Sequence, residues 1–348
     1  MKALTSPAGA ATIYDVARSA GVSTATVSRA LNGKPLVAEN TRARIAQAVE
    51  ELGYEPNSVA RSLVTRSTKT IGLLLPDITN PFFPELVKGV QLRAAERSYT
   101  LLLSHTGNDP KTEQRYLSLF RGKGIDGLLV VGLALGRAQL TKFAASGIPL
   151  VSLDRDVDLA GIPMVHLDNR AGARQATEHL LGLGHRSIAH IGGPGSLKVS
   201  QERLRGYFDA LEFADVDPCP DLIVASDFTE AGGRAGCLAL LESGAQFTSI
   251  FATNDLMAIG AMAALKEAGL TVPSDISVVG FDGIPLANYT TPPLTTLRQP
   301  ACEMGRRAAQ ILIDAIGGKQ LAEGERQVVF QGELVCRGST APALTVRA

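Results

Sequence analysis

From Thr70 onward the chain alternates short, wholly apolar runs with longer amphipathic stretches, and this rhythm narrows the fold more than any other feature. The runs are Ile71–Leu75, Thr100–Ser104, Gly127–Val131 and Pro149–Leu153, then Ser187–Ile191, Ser249–Ala252 and Ser277–Gly280. Between and after them, apolar residues at helical spacing mark Phe83–Ser98, Lys111–Lys123, Asn169–Leu183, Glu202–Phe213, Glu230–Ser243, Asp255–Ala268 and Cys302–Gly317. A strand apolar on both faces needs cover on both sides, which parallel strands beneath crossover helices receive. About ten strands are too many for one comfortable doubly wound sheet. The expected core is therefore α/β with two lobes, each built on a parallel doubly wound sheet.

Sheets of this kind hold ligands outside the carboxyl ends of their strands. The polar and aromatic residues that follow the strands are Asn80, Phe82 and Phe83 within Asp77–Phe83, Asp154 with Arg155, and Asp168. Arg203 opens a helix, and Phe228, Asn254 and Asp282 follow in the second series. Carboxylates, amides and guanidinium groups take paired hydroxyls, and aromatic faces take rings, so the set suits a polyhydroxylated or heterocyclic ligand. Each polar residue has a second reading, since an Asp or Asn after a strand is often just a helix cap. The turn Gly192–Ser196 lacks the spacing of a nucleotide phosphate loop and is expected to line the ligand site instead.

The first sixty residues carry a different pattern. Ile13, Val16, Ala17 and Ala20 share one helical face, with Thr12 as cap, Asp15 at the third helical position and Gly21 as the stop. After Val22, Ser23 caps a second short helix, Thr24–Leu31, with Val27, Ala30 and Leu31 on its buried side. Its other side shows Thr24, Ala25, Ser28 and Arg29, and residues 23–31 contain no Glu or Lys. A third helix has Ile45, Ala48, Val49 and Leu52 as its stripe and Gly53 as its stop. Two short helices around a glycine turn form a helix-turn-helix, whose slim second helix enters the major groove. Overall charge is zero, yet residues 1–69 hold nine basic and five acidic residues, a net of +4, leaving −4 on the remainder. That asymmetry fits DNA contact by one end of the molecule. Residues 56–66 read either as a linker or as a segment that folds only when docked on DNA.

Four stretches resemble the lactose-repressor/galactose-repressor family: TIYDVA from Thr12, GVSTATVSRALN from Gly21 to Asn32, LGYEPN ending at Asn57, and VARSL from Val59 to Leu63. The resemblance continues to about residue 340. It implies a periplasmic-binding-protein-like two-lobed core, with the Cys302–Gly317 helix returning to the first lobe. The implied divisions are a tail (1–11), a helix-turn-helix domain (12–57), a hinge helix and linker (58–69), a core (70–340) and a tail (341–348). Lobe 1 is about 70–167 with 301–331, and lobe 2 is about 168–298 with 332–340.

The resemblance places Thr24, Ala25 and Arg29 at base-reading positions and Thr26 and Ser28 near phosphates. Thr12, Ser23, Asn32, Asn57, Val59, Ala60 and Arg61 complete the implied DNA contacts, with Leu63 prying open a central minor-groove step. Ala25 cannot hydrogen-bond a base edge, so it suits a thymine methyl. Ala38 stands where the family often has a serine cap, which weakens the start of the third helix. Arg203, Asn254, Asp282 and Phe228 match positions that usually touch effector. Leu197 and Val199 occupy a loop where relatives often carry polar residues or arginine, which disfavours a purine and favours a sugar.

Together these features imply a cytoplasmic homodimer that binds pseudo-palindromic operator DNA and a small-molecule effector. No leucine heptad follows residue 337 to make a tetramer. Other classes fare worse. A periplasmic-type binding protein without DNA function is opposed by the basic head and by a first segment lacking an apolar signal core. A Rossmann enzyme is opposed by the missing glycine fingerprint. The five histidines show no metal spacing and the four cysteines no paired motif, so neither catalysis, a metal nor a cofactor is expected. No apolar run reaches the roughly 18 residues of a membrane helix.

Overall fold

The computed structural model describes residues 11–31, 37–55, 67–132, 137–154 and 161–343. The chain divides into two compact units, Met1–Thr68 and Lys69–Ala348.

In the first unit, helices α1 (Ile13–Ala20), α2 (Thr24–Leu31) and α3 (Glu39–Leu52) close over Val16, Val27 and Ile45, all essentially inaccessible to solvent. Local chemistry fixes each boundary. The Thr12 hydroxyl donates to Asp15 at 2.6 Å, while the Thr12 N–H donates to the same carboxylate at 3.0 Å. Gly21 ends α1 in the left-handed conformation at φ +62°. The Ser23 hydroxyl accepts from the Thr26 N–H at 3.1 Å and so caps α2. Ala38 precedes α3 with no side-chain cap. Two expected core residues are exposed instead, Leu31 at 38% and Leu52 at 39%. Each is the last residue of its helix.

The second unit holds two six-stranded sheets. Lobe 1 contains β1 (Thr70–Leu75), β2 (Thr100–His105), β3 (Gly127–Val130), β4 (Leu150–Leu153), β5 (Met164–Leu167) and β11 (Gln327–Phe330), in the order β11-β5-β4-β3-β1-β2. Lobe 2 contains β6 (Ile188–Gly192), β7 (Ile223–Ala225), β8 (Ser249–Ala252), β9 (Ser277–Asp282), β10 (Thr295–Arg298) and β12 (Glu333–Val335), in the order β12-β10-β9-β8-β6-β7. Among the described residues all pairings are parallel except β10 with β12. Strands β3, β4, β8 and β9 are buried throughout, as sheets covered on both faces require. The chain passes between lobes three times, after β5, after β10 and between β11 and β12.

Helices α4 (Phe82–Glu96), α5 (Pro110–Lys123) and α6 (Arg137–Ala144) belong to the first series. Helices α7 (Asn169–Gly182), α8 (Lys198–Phe213), α9 (Glu230–Glu242) and α10 (Asp255–Glu267) cover the second sheet, and α11 (Ala301–Ile316) returns to pack on α4. The α4–α11 crossing is set by reciprocal glycines. A Cβ on Gly89 would overlap the Cys302 carbonyl oxygen, and one on Gly305 would overlap that of Leu86. Helix α8 starts four residues earlier than its sequence pattern indicates, so Val199 lies in its first turn while Leu197 remains in the loop that precedes it. Strands β7, β10, β11 and β12 and helix α6 are additions to the pattern read from sequence.

At the centre of lobe 2, His190 is 1% exposed, and neither ring nitrogen has a hydrogen-bond partner among the described residues. Its ring packs against Tyr207 and Phe251 at centroid distances of 5.0 and 5.6 Å. Burial pushes its pKa down to about 4. An unfolded histidine titrates near 6.5. Between those values the unfolded chain binds a proton that the folded chain refuses, so His190 lowers stability as pH falls through that window. His190→Phe keeps the ring and removes the proton site. Measured by urea unfolding, the wild type should lose about 3 kcal/mol more than this variant between pH 7 and pH 4, at 1.36 kcal/mol per pKa unit. A stability difference independent of pH would refute the assignment.

Candidate functional site

The carboxyl ends of both sheets face one narrow cleft, with about 80 Å³ of enclosed space. In lobe 1, Asp77 accepts from both the N–H and the hydroxyl of Thr79 at 2.8 Å, folding the turn after β1. Asn80 accepts from the Phe82 N–H at 3.0 Å, which sets the start of α4. Phe82 and Phe83 then pack edge to face, 5.2 Å between centroids, and both line the cleft. Asp154 follows β4 in a left-handed conformation, φ +65°, and is 5% exposed. Asn108, after β2, joins them.

Lobe 2 contributes Val199, Arg203, Asp227, Phe228, Thr229, Asn254 and Asp282. Asn254 has two duties: its Oδ1 caps α10 by accepting from Met257 N–H, and its Nδ2 donates to the Phe228 carbonyl, both at 2.9 Å. That second bond fixes Phe228 at φ +71°. A Cβ on Gly193 would overlap the Phe228 ring, so the Gly192–Ser196 turn lies behind the ring and does not line the cleft. The expectation for that turn is corrected here: its glycine makes room for the aromatic that does line the site.

Arg203 is the electrostatic centre. It is 5% exposed, donates from Nε to Asn169 at 2.9 Å and from Nη1 to the Thr253 carbonyl at 2.5 Å, and lies 3.5 Å from an Asp282 oxygen. Its guanidinium carbon sits 3.8 Å over the centre of the Phe281 ring. Burial works against its charge, and Asp282, Asp154 and Asp255 support it. Asp282 itself adopts φ +110°, an unusual conformation for a side chain other than glycine. Behind it, burial and the Asp282 charge push the Asp255 carboxyl up to about 8, against hydrogen bonds from the Thr296 hydroxyl and the Ile284 and Gly283 N–H groups.

Of the residues named from sequence, Asn80, Phe82, Phe83, Asp154, Arg203, Phe228, Asn254 and Asp282 come together in this cleft. Asp168 does not. Its carboxylate caps α7 by accepting from the Ala171 N–H at 2.9 Å, beside Arg170, Asp209 and Phe213 on another face. Asn169, the residue after Asp168, instead orients Arg203, and sequence reasoning missed Asn108, whose position after a strand end was the available signal. Arg155 lies outside the described residues.

On the first unit, Ser23, Ala25 and Arg29 are exposed, with Thr24, Thr26 and Ser28 half-buried beside them. Ala25 and Arg29 are one helical turn apart on the open face of α2. Thr12 spends its hydroxyl on the cap of α1. Asn32, Asn57, Val59, Ala60, Arg61 and Leu63 lie outside the described residues.

A helix-turn-helix head on a two-lobed core with a polar interlobe cleft defines a class, the transcription regulator whose core has the periplasmic-binding-protein form. Residues 12–57 match the model of bacterial regulatory proteins of the lacI family, and residues 177–340 match a periplasmic binding protein-like domain. The ribose operon repressor of Halalkalibacterium halodurans is 41% identical over 310 residues, covering 89% of this chain and 92% of that protein. A lac repressor dimer bound to operator and the anti-inducer ONPF superposes with a TM-score of 0.86 at 29% identity, covering 95% and 99% of the two chains. A lacI-family regulator from Enterococcus faecium with bound ribose superposes at 0.72 and 31% identity, covering 78% and 99%. The chain belongs to the lacI family of bacterial regulatory proteins and is a transcription regulator.

Proposed function

We infer that this regulator is a homodimeric, cytoplasmic repressor of carbohydrate-utilisation genes, without catalytic activity, whose operator binding is set by a sugar held between the lobes. The observation that carries the sugar reading is the buried Arg203 facing Asp282, with Asp154 close by and phenylalanine rings on both lobes. Such a set accepts and donates to neighbouring hydroxyls while an apolar ring face packs on the aromatics. The ribose named with two of the relatives makes D-ribose the first ligand to test. A ligand that touches both lobes favours one relative angle over another, and the regulator responds by a shift in population. Residues 58–69 would carry that change to the operator, with Leu63 as the minor-groove wedge. Edge strand β2, with Leu102 at 36% and Leu103 at 37% exposure, offers an apolar edge for a second copy.

The DNA half is tested on the duplex that the full-length protein selects from a randomised pool. Arg29→Ala should weaken binding to that duplex by about 1–3 kcal/mol and relax preference at one base position, read by competition anisotropy. If Arg29→Ala left both affinity and preference intact, the base-reading role of α2 would fail. A wild-type protein that selected no duplex would overturn the regulator reading of the site.

A further inference from the structure

We propose that Gln299 is the positioning residue through which the state of Asp282 in the cleft reaches the crossover into α11. This rests on the reading of the cleft given above. Gln299 occupies the passage from β10 to α11, two residues before the helix begins. One residue, Asp282, grips it twice: the Gln299 N–H donates to the Asp282 carbonyl at 3.0 Å, and its Nε2 donates to Asp282 Oδ1 at 2.7 Å. The same Oδ1 is the oxygen that faces Arg203 at 3.5 Å. A ligand hydroxyl that takes up this oxygen must therefore share it with, or take it from, the Gln299 amide.

The other half of the amide is uncommitted. Gln299 is 5% exposed, and its Oε1 has no hydrogen-bond partner among the described residues. A buried carbonyl in that state is costly and gains from any rearrangement that supplies a donor. The residue also borders a second cavity, on the far side of Asp282 and Phe82, walled by Glu85 from lobe 1, Pro285 from lobe 2 and the first turn of α11. Beyond it the chain is stiff: Pro300 precedes α11, and α11 meets α4 backbone to backbone at Gly89 and Gly305. Helix α4 begins with Phe82 and Phe83 of the cleft. The amide thus sits where a change at one carboxylate oxygen is handed to the element that ties the lobes.

The test is a double-mutant cycle on the ligand-free, full-length protein, read as affinity for the selected duplex. Gln299→Glu sets two carboxylates against each other. Adding Asp282→Asn restores one hydrogen bond with donor and acceptor exchanged. The single Gln299→Glu change should shift operator affinity at least about fivefold, the lower end of ordinary allosteric couplings, and the double variant should return most of the way to wild type. Thermal stability is recorded alongside, because a purely structural contact would lower it in the single variants and leave DNA affinity unmoved. Gln299→Met, which removes the amide without adding charge, serves if Gln299→Glu does not fold, and it should shift affinity by a similar factor. Independent, multiplicative effects of the two substitutions, or unchanged affinity in well-folded variants, would overturn the proposal. Failure of the wild type to select any duplex would instead remove the regulator reading, and this proposal with it.

Discussion

Replacing Arg203 by methionine should cost about 3–5 kcal/mol of stability and abolish stabilisation by ligand, because it removes the cation of a buried charge cluster. Methionine keeps the aliphatic stem as far as the position of Nε and loses the guanidinium that lies on the Phe281 ring. What is lost is specific. Asn169 Oδ1 and the Thr253 carbonyl each lose a donor, and Asp282 loses its nearest cation at 3.5 Å. An uncompensated carboxylate with 7% exposure is the expensive outcome, since water cannot reach it well enough to replace the guanidinium. Urea unfolding reads the stability, and a thermal shift with D-ribose reads the ligand response. Wild type should gain about 2.7 kcal/mol at a hundredfold excess over Kd, and the variant nothing measurable. A variant within 1 kcal/mol of wild type would show that the cluster is solvated in solution.

A second large effect is expected far from the cleft mouth. Gly305→Leu should destabilise lobe 1 by about 3 kcal/mol or more, at or above the usual cost of overpacking. The atoms that meet the new side chain are the Leu86 carbonyl oxygen and the Val90 nitrogen, which are backbone and cannot turn aside. The helices must separate, and the buried contacts of Leu86, Met304, Ala308 and Ala309 loosen with them. A glycine inside a helix costs about 1 kcal/mol relative to alanine, so a tolerant site would gain from Gly305→Ala. Here Gly305→Ala should also destabilise, by more than about 1 kcal/mol, in urea unfolding monitored by far-UV circular dichroism. A stabilised Gly305→Ala protein would contradict the close approach.

The sequence was most legible where structure is local. Thr12 with Asp15, Gly21 and Ser23 set helix ends through atoms a few residues apart, so α1 and α2 are readable without the fold. The buried strands announced themselves as apolar runs because both faces are covered. Strands β10 (TTLR), β11 (QVVF) and β12 (ELV) were silent: short, partly polar and formed by pairing with strands distant in sequence. In the site, strand ends pointed to the right loops, yet an Asp after a strand can cap a helix or face a ligand. Asp168 caps, and the neighbouring Asn169 turns inward to hold Arg203. Gln299 gave no signal, because its bond to Asp282 exists only through the register of β9 with β10.

The dependence of DNA binding on the interlobe cleft is tested most directly by anisotropy on the selected duplex, titrating full-length wild type and Arg203→Met with the sugars that raise the wild type's melting temperature, D-ribose first. Operator affinity of the wild type should change by about 5–150-fold at saturating sugar, and that of Arg203→Met should not change. A wild type that binds sugar tightly while its operator affinity stays constant would contradict the account.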